Sequence, residues 1–311
     1  MGEKMRRIMS VLLIVCMVFS ITACGSVEKE NPVSEKEENK IQIGMSFDSF
    51  VIERWQRDRD VFVSVAKELG AEVNVQNANG DVEQQKNQID YFIQKGMDVI
   101  VIISIDGAAL RESVDKAKAE GIRVIAYDRI VEDADVDLYI SFDNEKVGTM
   151  MGQALIDQGL TGGKVLMLGG SPTDKNVGMV EEGFRRIMKT HNVTILDSTH
   201  ADGWKAELAS QYIYDNPDVV NDADAIMCGN DDLATQVVHA LAEKRMAGEI
   251  LVVGQDADLA ACQRIVEGTQ VMTVYKPVEK LATRAAEEAV ALAKGQDVAG
   301  DDVTLITNGD Y

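Results

Sequence analysis

The sequence predicts an α/β protein made of two doubly wound parallel-sheet lobes joined by a hinge. Three observations carry that prediction. Apolar, β-branched runs of strand length alternate with amphipathic runs of helix length. The alternation begins at Ile41 and restarts after Leu138–Phe142. Several apolar runs also stop abruptly on hydrogen-bonding residues. Val124–Ala126 meets Tyr127-Asp128-Arg129, Ala225–Cys228 meets Gly229-Asn230-Asp231, Leu251–Val253 meets Gly254-Gln255-Asp256, and Val271–Tyr275 meets Lys276-Pro277. Open α/β sheets bind ligands at the carboxyl ends of their strands. A row of Asp, Asn, Arg, Gln and Lys there suits a small, hydroxyl-rich molecule.

The chain opens on an address. Lys4, Arg6 and Arg7 form a basic start, and an apolar stretch from Ile8 to Ala23 follows, short for a membrane span. It ends in Ile21-Thr22-Ala23-Cys24-Gly25, which resembles a bacterial lipobox. Residues 1–23 are therefore expected to be a lipoprotein signal peptide, with Cys24 the lipidated residue. Residues 24–40 are polar and charged, with Asn31-Pro32 and almost nothing to bury, and read as a disordered tether. Such a tether would hold a domain roughly 20–25 Å from its anchor.

The first lobe is expected over 41–142 plus 277–300. Its strands are Ile41–Phe47, Glu72–Gln76, Asp98–Ile103, Arg123–Tyr127 and Leu138–Phe142. Its helices are Arg54–Leu69, Val82–Lys95 and Ala108–Glu120. Trp55, Phe62, Val65, Ala66 and Leu69 share one face of the first helix. Gly70, Gly96 and Gly121 stand where helices should stop. The second lobe is expected over 143–276. Its helices are Asn144–Gln158, Asn176–Thr190, Trp204–Tyr214, Leu233–Glu243 and Leu259–Glu267. Its strands are Lys164–Leu168, Val193–Leu196, Ala225–Cys228, Leu251–Val253 and Val271–Tyr275. Pro277 then opens a long Ala-rich helix, Val278–Lys294, as Pro at a helix start readily does. Two lobes joined by strands imply a hinge and a cleft between them.

Composition narrows the function. The chain has 311 residues, 46% of them hydrophobic, enough for two cores. Its net charge of −21 argues against nucleic acid, whose phosphates need clustered Lys and Arg. His191, His200 and His239 are isolated, and no Cys/His spacing resembles a metal site, so neither metal nor cofactor is expected. Cys16 falls in the signal segment. Cys228 sits in an apolar strand and reads as a small core residue, although a disulfide to Cys262 stays open. There is no nucleophile motif or phosphate loop, so an enzyme is not expected.

A resemblance sharpens this. Motifs in order along the chain are Glu53-Arg54-Trp55-Gln56, Gln76-Asn77-Ala78-Asn79-Gly80, Ala126-Tyr127-Asp128-Arg129 and Tyr139-Ile140-Ser141-Phe142-Asp143-Asn144-Glu145-Lys146-Val147-Gly148. Gly169-Gly170-Ser171-Pro172, Asp202-Gly203-Trp204, Gly254-Gln255-Asp256-Ala257-Asp258-Leu259 and Thr269-Gln270-Val271-Met272-Thr273-Val274-Tyr275-Lys276-Pro277 follow. Together they resemble the type I periplasmic binding proteins of sugar ABC transporters, in the D-xylose-binding branch, across Ile41 to Lys294. The resemblance implies that Arg54, Trp55, Asp128, Arg129, Asp174, Asn176, Trp204, Asn230, Asp256 and Lys276 line a sugar cleft. The chemistry agrees: Asp accepts, Arg and Lys donate, Asn does both, and an indole suits the C–H face of a sugar ring.

Each of these residues also has a plain structural reading. Trp55 shares a helical stripe with Phe62 and Leu69, and Trp204 one with Leu208 and Tyr212, so either indole could be core. Asp128 and Arg129 could be a structural ion pair, and Asn230 a helix N-cap. Lys276 could be exposed, and Asp174 and Asn176 could belong to a solvated loop. Lys175 lies where the resemblance implies a neutral residue, and Ser104 replaces a Pro. The resemblance also implies another strand beyond Val303–Tyr311, so 301–311 reads as the start of a truncated final crossover: either the sequence is cut short or the last crossover is missing, and in the second case a looser hinge and lower stability are expected.

The leading expectation is a lipid-anchored, extracytoplasmic, monomeric binding protein that delivers D-xylose to an ABC permease in the membrane. The same domain could instead present bound sugar to a membrane receptor or histidine kinase. Transcriptional repressors share the two-lobed fold but carry a helix-turn-helix where this chain has a signal and tether.

Overall fold

The computed structural model describes residues 40–298. The expected signal peptide, the expected lipidation site Cys24, nearly all of the expected tether and the 301–311 segment lie outside the described residues.

Two five-stranded, wholly parallel sheets organise the described chain. The first holds β1 (Ile41–Phe47), β2 (Ala71–Asn77), β3 (Val99–Ile102), β4 (Arg123–Tyr127) and β5 (Leu138–Ile140), in the order β2-β1-β3-β4-β5. The second holds β6 (Lys164–Gly169), β7 (Thr194–His200), β8 (Ala225–Cys228), β9 (Leu251–Gln255) and β10 (Met272–Val274), in the order β7-β6-β8-β9-β10. The two lobes thus repeat one topology. In each, the strand order reverses beside the first strand, which opens a crevice at the strands' carboxyl ends.

Helices cover both faces of each sheet. They are α1 (Arg54–Glu68), α2 (Val82–Gln94) and α3 (Arg111–Ala119), then α4 (Asn144–Asp157), α5 (Lys175–Thr190), α6 (Glu207–Asp215), the short α7 (Pro217–Asn221), α8 (Asp231–Glu243), α9 (Leu259–Glu267) and α10 (Val278–Ala293). The strand period of two divides the first core cleanly. Ile43, Met45, Phe47, Val99, Val101, Ile125 and Tyr127 pack on the side of α1 and α10, while Ile100, Ile102, Val124 and Ala126 pack with Ile89, Phe92 and Val114 of α2 and α3. α10 follows β10 of the second sheet yet lies against α1, β3 and β4 of the first lobe. Gly70, Gly96 and Gly121 follow helix ends with φ of 87°, 65° and 76°, as capping demands.

Several element bounds differ from expectation for identifiable reasons. β7, an edge strand, runs on through Asp197-Ser198-Thr199-His200, polar residues that are exposed or half-buried and carry no apolar signal. The helix expected at Trp204–Tyr214 begins at Glu207, so Trp204 does not share a helical stripe with Leu208. It closes a single 3₁₀ turn, Asp202–Trp204, with φ of 58°. Leu69 lies outside the buried face of α1; it is the C-cap and is exposed. The 217–221 helix, opened by Pro217, was not expected. Cys228 is buried, Cys262 exposed, and both are free thiols.

Candidate functional site

A cavity lies where the two sets of strand ends meet. Arg54, Trp55, Asp128, Arg129, Asp174, Asn176, Trp204, Asn230, Asp256 and Lys276 all line it.

The local fold explains why they converge. Arg54 and Trp55 form the first turn of α1. Asp128 and Arg129 leave β4, Asp256 leaves β9, and Lys276 follows β10. Asp174 caps α5, accepting from the Asn176 backbone at 3.0 Å. Asn230 caps α8, accepting from the Leu233 backbone at 3.0 Å, so it is a helix cap and a cavity residue at once. Asp128, Trp204 and Asp256 hold left-handed φ angles of 61°, 58° and 101°. Such backbone is costly for residues with a Cβ and clusters where side chains are aimed for a purpose.

The walls alternate in charge. The Arg54 guanidinium contacts Asp58 and Asp128, each at 2.9 Å, and reaches toward Asp256 at 3.9 Å. Lys276 lies 2.7 Å from Asp256 and is buried. Arg129 lies 2.7 Å from Asp48 of the first lobe and 2.7 Å from Asp174 of the second. The Asn176 side-chain amide donates to the Asp128 carbonyl at 3.0 Å, another link between lobes. Asp128 and Arg129 are therefore not simply paired with each other; each holds a separate set of partners. Burial alone would raise the Asp128 carboxyl, but Arg54, Lys276 and Arg129 outweigh it and hold the group below the usual carboxylate range.

Aromatic rings close the ends. Arg129 sits 5.4 Å from the Trp55 ring and 5.8 Å from the Trp204 ring, and Arg54 sits 4.5 Å from Trp55. The Trp204 indole rests on Gly170, where a Cβ would stand 2.2 Å from the ring. The two indole N–H groups and the Gln255 side-chain oxygen are buried among cavity-lining residues without a protein partner. Buried polar atoms of this kind usually answer to a partner. Carboxylates, cations, amides and indoles in one water-poor space can bind an uncharged polyol face by face and hydroxyl by hydroxyl. Among the described residues no group of His, Cys, Asp and Glu is placed to hold a metal ion.

Sequence reasoning passed over several residues here. Asp58, four residues after Arg54, had the spacing of a helical ion pair as its signal. Asp48 ends β1 as Asp128 ends β4, and could have been read by the same rule. Phe142 lies 5.5 Å from Arg54 and 5.8 Å from Lys276, with nothing in its local pattern to mark it. Ser104, the residue in place of Pro, is buried and its carbonyl accepts from Arg129 at 3.2 Å. Lys175 stays outside the cavity, its ammonium 3.3 Å from Glu132 across the lobes.

Beside the cavity runs an acidic seam. Glu53, the N-cap of α1, and Arg57 of α1 face Asp232 of α8 and Asp258, the N-cap of α9. Burial first, then the neighbouring charges of Asp256, Asp231, Asp232 and Glu53, push the Asp258 carboxyl up to about 7. Asp231 and Asp232 rise to about 6, again mainly through burial.

Known proteins can be set beside this geometry. The pattern of the periplasmic binding protein domain matches residues 43–297. The D-xylose-binding periplasmic protein of Escherichia coli K12 is 43% identical over 295 residues, covering 93% of this chain and 88% of that protein. Its counterpart of the same description from Haemophilus influenzae is 43% identical over 264 residues, covering 83% and 79%. Among solved structures, an ABC transporter solute-binding protein from Clostridium phytofermentans with bound β-D-glucose is similar at a TM-score of 0.77 and 27% identity, covering 86% of this chain and 89% of that one.

Proposed function

The chain belongs to the periplasmic binding protein family, and from that premise we propose that its interlobe cavity binds a monosaccharide, D-xylose, outside the cytoplasm and hands it to an ABC permease. The observation that carries this reading is the cavity wall. Charged hydrogen-bonding groups alternate around it, and indoles from both lobes stand beside Arg129. A pyranose has the same division: equatorial hydroxyls that donate and accept, and C–H faces that prefer an aromatic plane.

In this reading Asp128, Asp174 and Asp256 accept from hydroxyls, Arg54, Arg129 and Lys276 donate, and Asn176 and Asn230 do both. Trp55 and Trp204 stack on the ring. The choice of xylose rests on the two relatives of that description, each 43% identical. The lobes, 41–142 plus 277–300 and 143–276, close over the sugar, and the permease reads the closed form. Differential affinity for that form sets how far sugar shifts the equilibrium. The lipobox-like Ile21–Gly25 supports an anchor at Cys24, with 24–40 as the tether.

Titration calorimetry on the full chain with D-xylose, D-glucose, D-ribose and L-arabinose tests the proposal. D-xylose is expected to bind tightest, with D-glucose weaker because its hydroxymethyl group needs extra room. Tighter binding of another sugar would overturn the assignment to xylose, and heat-silent titrations with no thermal shift for any sugar would overturn the sugar reading itself.

A further inference from the structure

Behind the cavity wall lies a pair of residues that touch no part of the cavity yet govern one that does. Asp58 is fully buried and lies one turn along α1 from Arg54. Its carboxylate accepts from Arg54 Nε at 3.2 Å and from Arg54 Nη2 at 2.9 Å, a two-point grip on one edge of the guanidinium. The Tyr127 hydroxyl, buried at the end of β4, donates to the same carboxylate at 2.5 Å. Neither Asp58 nor Tyr127 is among the lining residues, whereas Arg54 is.

We propose that Asp58 and Tyr127 are positioning residues for the ligand: a buried relay that fixes the plane of the Arg54 guanidinium and the edge it presents to the cavity. The inference rests on the sugar-binding reading above. A guanidinium has five N–H groups in a rigid fork, so gripping one edge determines where the rest point. With Nε and Nη2 committed to Asp58, and Nη2 also 2.9 Å from Asp128, Nη1 is left on the side of Asp256, 3.9 Å away. An arginine held by Asp128 alone would keep its charge balance but could rotate about that single contact. Trp55, 4.5 Å from the guanidinium, limits tilt out of the plane but not rotation within it. Tyr127 in turn holds the carboxylate. Burial, and the negative charge at its tip, raise its phenol well above the usual pKa, so it remains a donor at every working pH. Precise donor placement matters for a sugar, since epimers differ only in where one hydroxyl points.

The test is Tyr127→Phe, which keeps the ring and deletes the donor, with Asp58→Asn as a second variant. Two readouts are taken on each: D-xylose affinity by calorimetry, and the Arg54 Nε–H signal by side-chain ¹⁵N NMR. In the parent protein that N–H is expected to be sharp and slow to exchange. In both variants it is expected to broaden or exchange fast, with D-xylose affinity falling about fivefold or more. An unchanged Arg54 signal would overturn the relay. A changed signal with unchanged affinity would overturn its role in binding. A parent protein that binds no D-xylose would instead sink the sugar reading, while the Arg54 signal still decides whether the relay exists.

Discussion

Arg129 of the first lobe and Asp174 of the second lie 2.7 Å apart, both buried, with the other edge of the guanidinium on Asp48. One side chain thus ties a strand end, a helix cap and a neighbouring loop across the cavity. Buried ion pairs of this kind are costly to break from one side, because the abandoned charge stays buried.

Arg129→Met is therefore expected to lower stability by about 3–5 kcal/mol at neutral pH, measured by denaturant unfolding. Burial already holds the Asp48 and Asp174 carboxyls above their usual range, against the pull of Arg129. Without the cation both should protonate more readily, so part of the loss should return at pH 5. A loss independent of pH would count against the ion pair as its cause.

Trp204→Ala is expected to weaken D-xylose binding by roughly 2 kcal/mol or more, as for a buried aromatic anchor. Calorimetry giving parental affinity would remove Trp204 from the site.

Gly170→Ala tests the seat beneath that indole. The added methyl would meet the ring at 2.2 Å, so the ring must move. Overpacking of this kind costs about 1–3 kcal/mol. Both D-xylose affinity and the thermal midpoint should fall, and a fluorescence spectrum of Trp204 should shift. Parental values of all three would mean the indole has another place to go.

The acidic seam predicts how stability varies with pH. Asp258, Asp231 and Asp232 have folded pKa values of about 7, 6 and 6, above the ordinary carboxylate value. Groups raised in the folded state stabilise it most below their unfolded pKa, and that contribution is lost as pH rises through about 6–7. Asp128, held low by its cations, acts oppositely and loses its contribution as pH falls below the usual carboxylate range. The thermal midpoint should rise as pH drops from 8 to 5, then fall in stronger acid. Asp258→Asn should flatten the first limb; a midpoint flat from pH 8 to 5 in the parent protein would contradict the seam.

Cys24→Ala is expected to move the chain from the detergent phase to the aqueous phase in a phase-partition assay of expressing cells. Mass spectrometry should then find no lipid on the N-terminus. Equal partitioning of both proteins would refute the anchor.

Local pattern went a long way here. The period of two in β1 and β3, glycines closing helices at 70, 96 and 121, and polar residues ending β4 and β9 are all legible, because each depends on neighbours a few positions apart. The ten candidate residues were legible only with the help of the resemblance, since an indole beside apolar neighbours looks the same in a core or a cavity. Periodicity misread Trp204 because Gly203 and Trp204 both take left-handed backbone, which no apolar stripe reveals.

Sequence alone was sufficient for two repeated parallel-sheet lobes and for the strand ends that carry the polar groups. Only the tertiary structure decided which distant charges meet: Arg129 on Asp48 and Asp174, Arg54 on Asp128, and Tyr127 behind Asp58. Those pairs join residues up to 81 positions apart. Electrostatic partners depend on distance in space and on burial, and neither quantity is written in the spacing of residues along a chain.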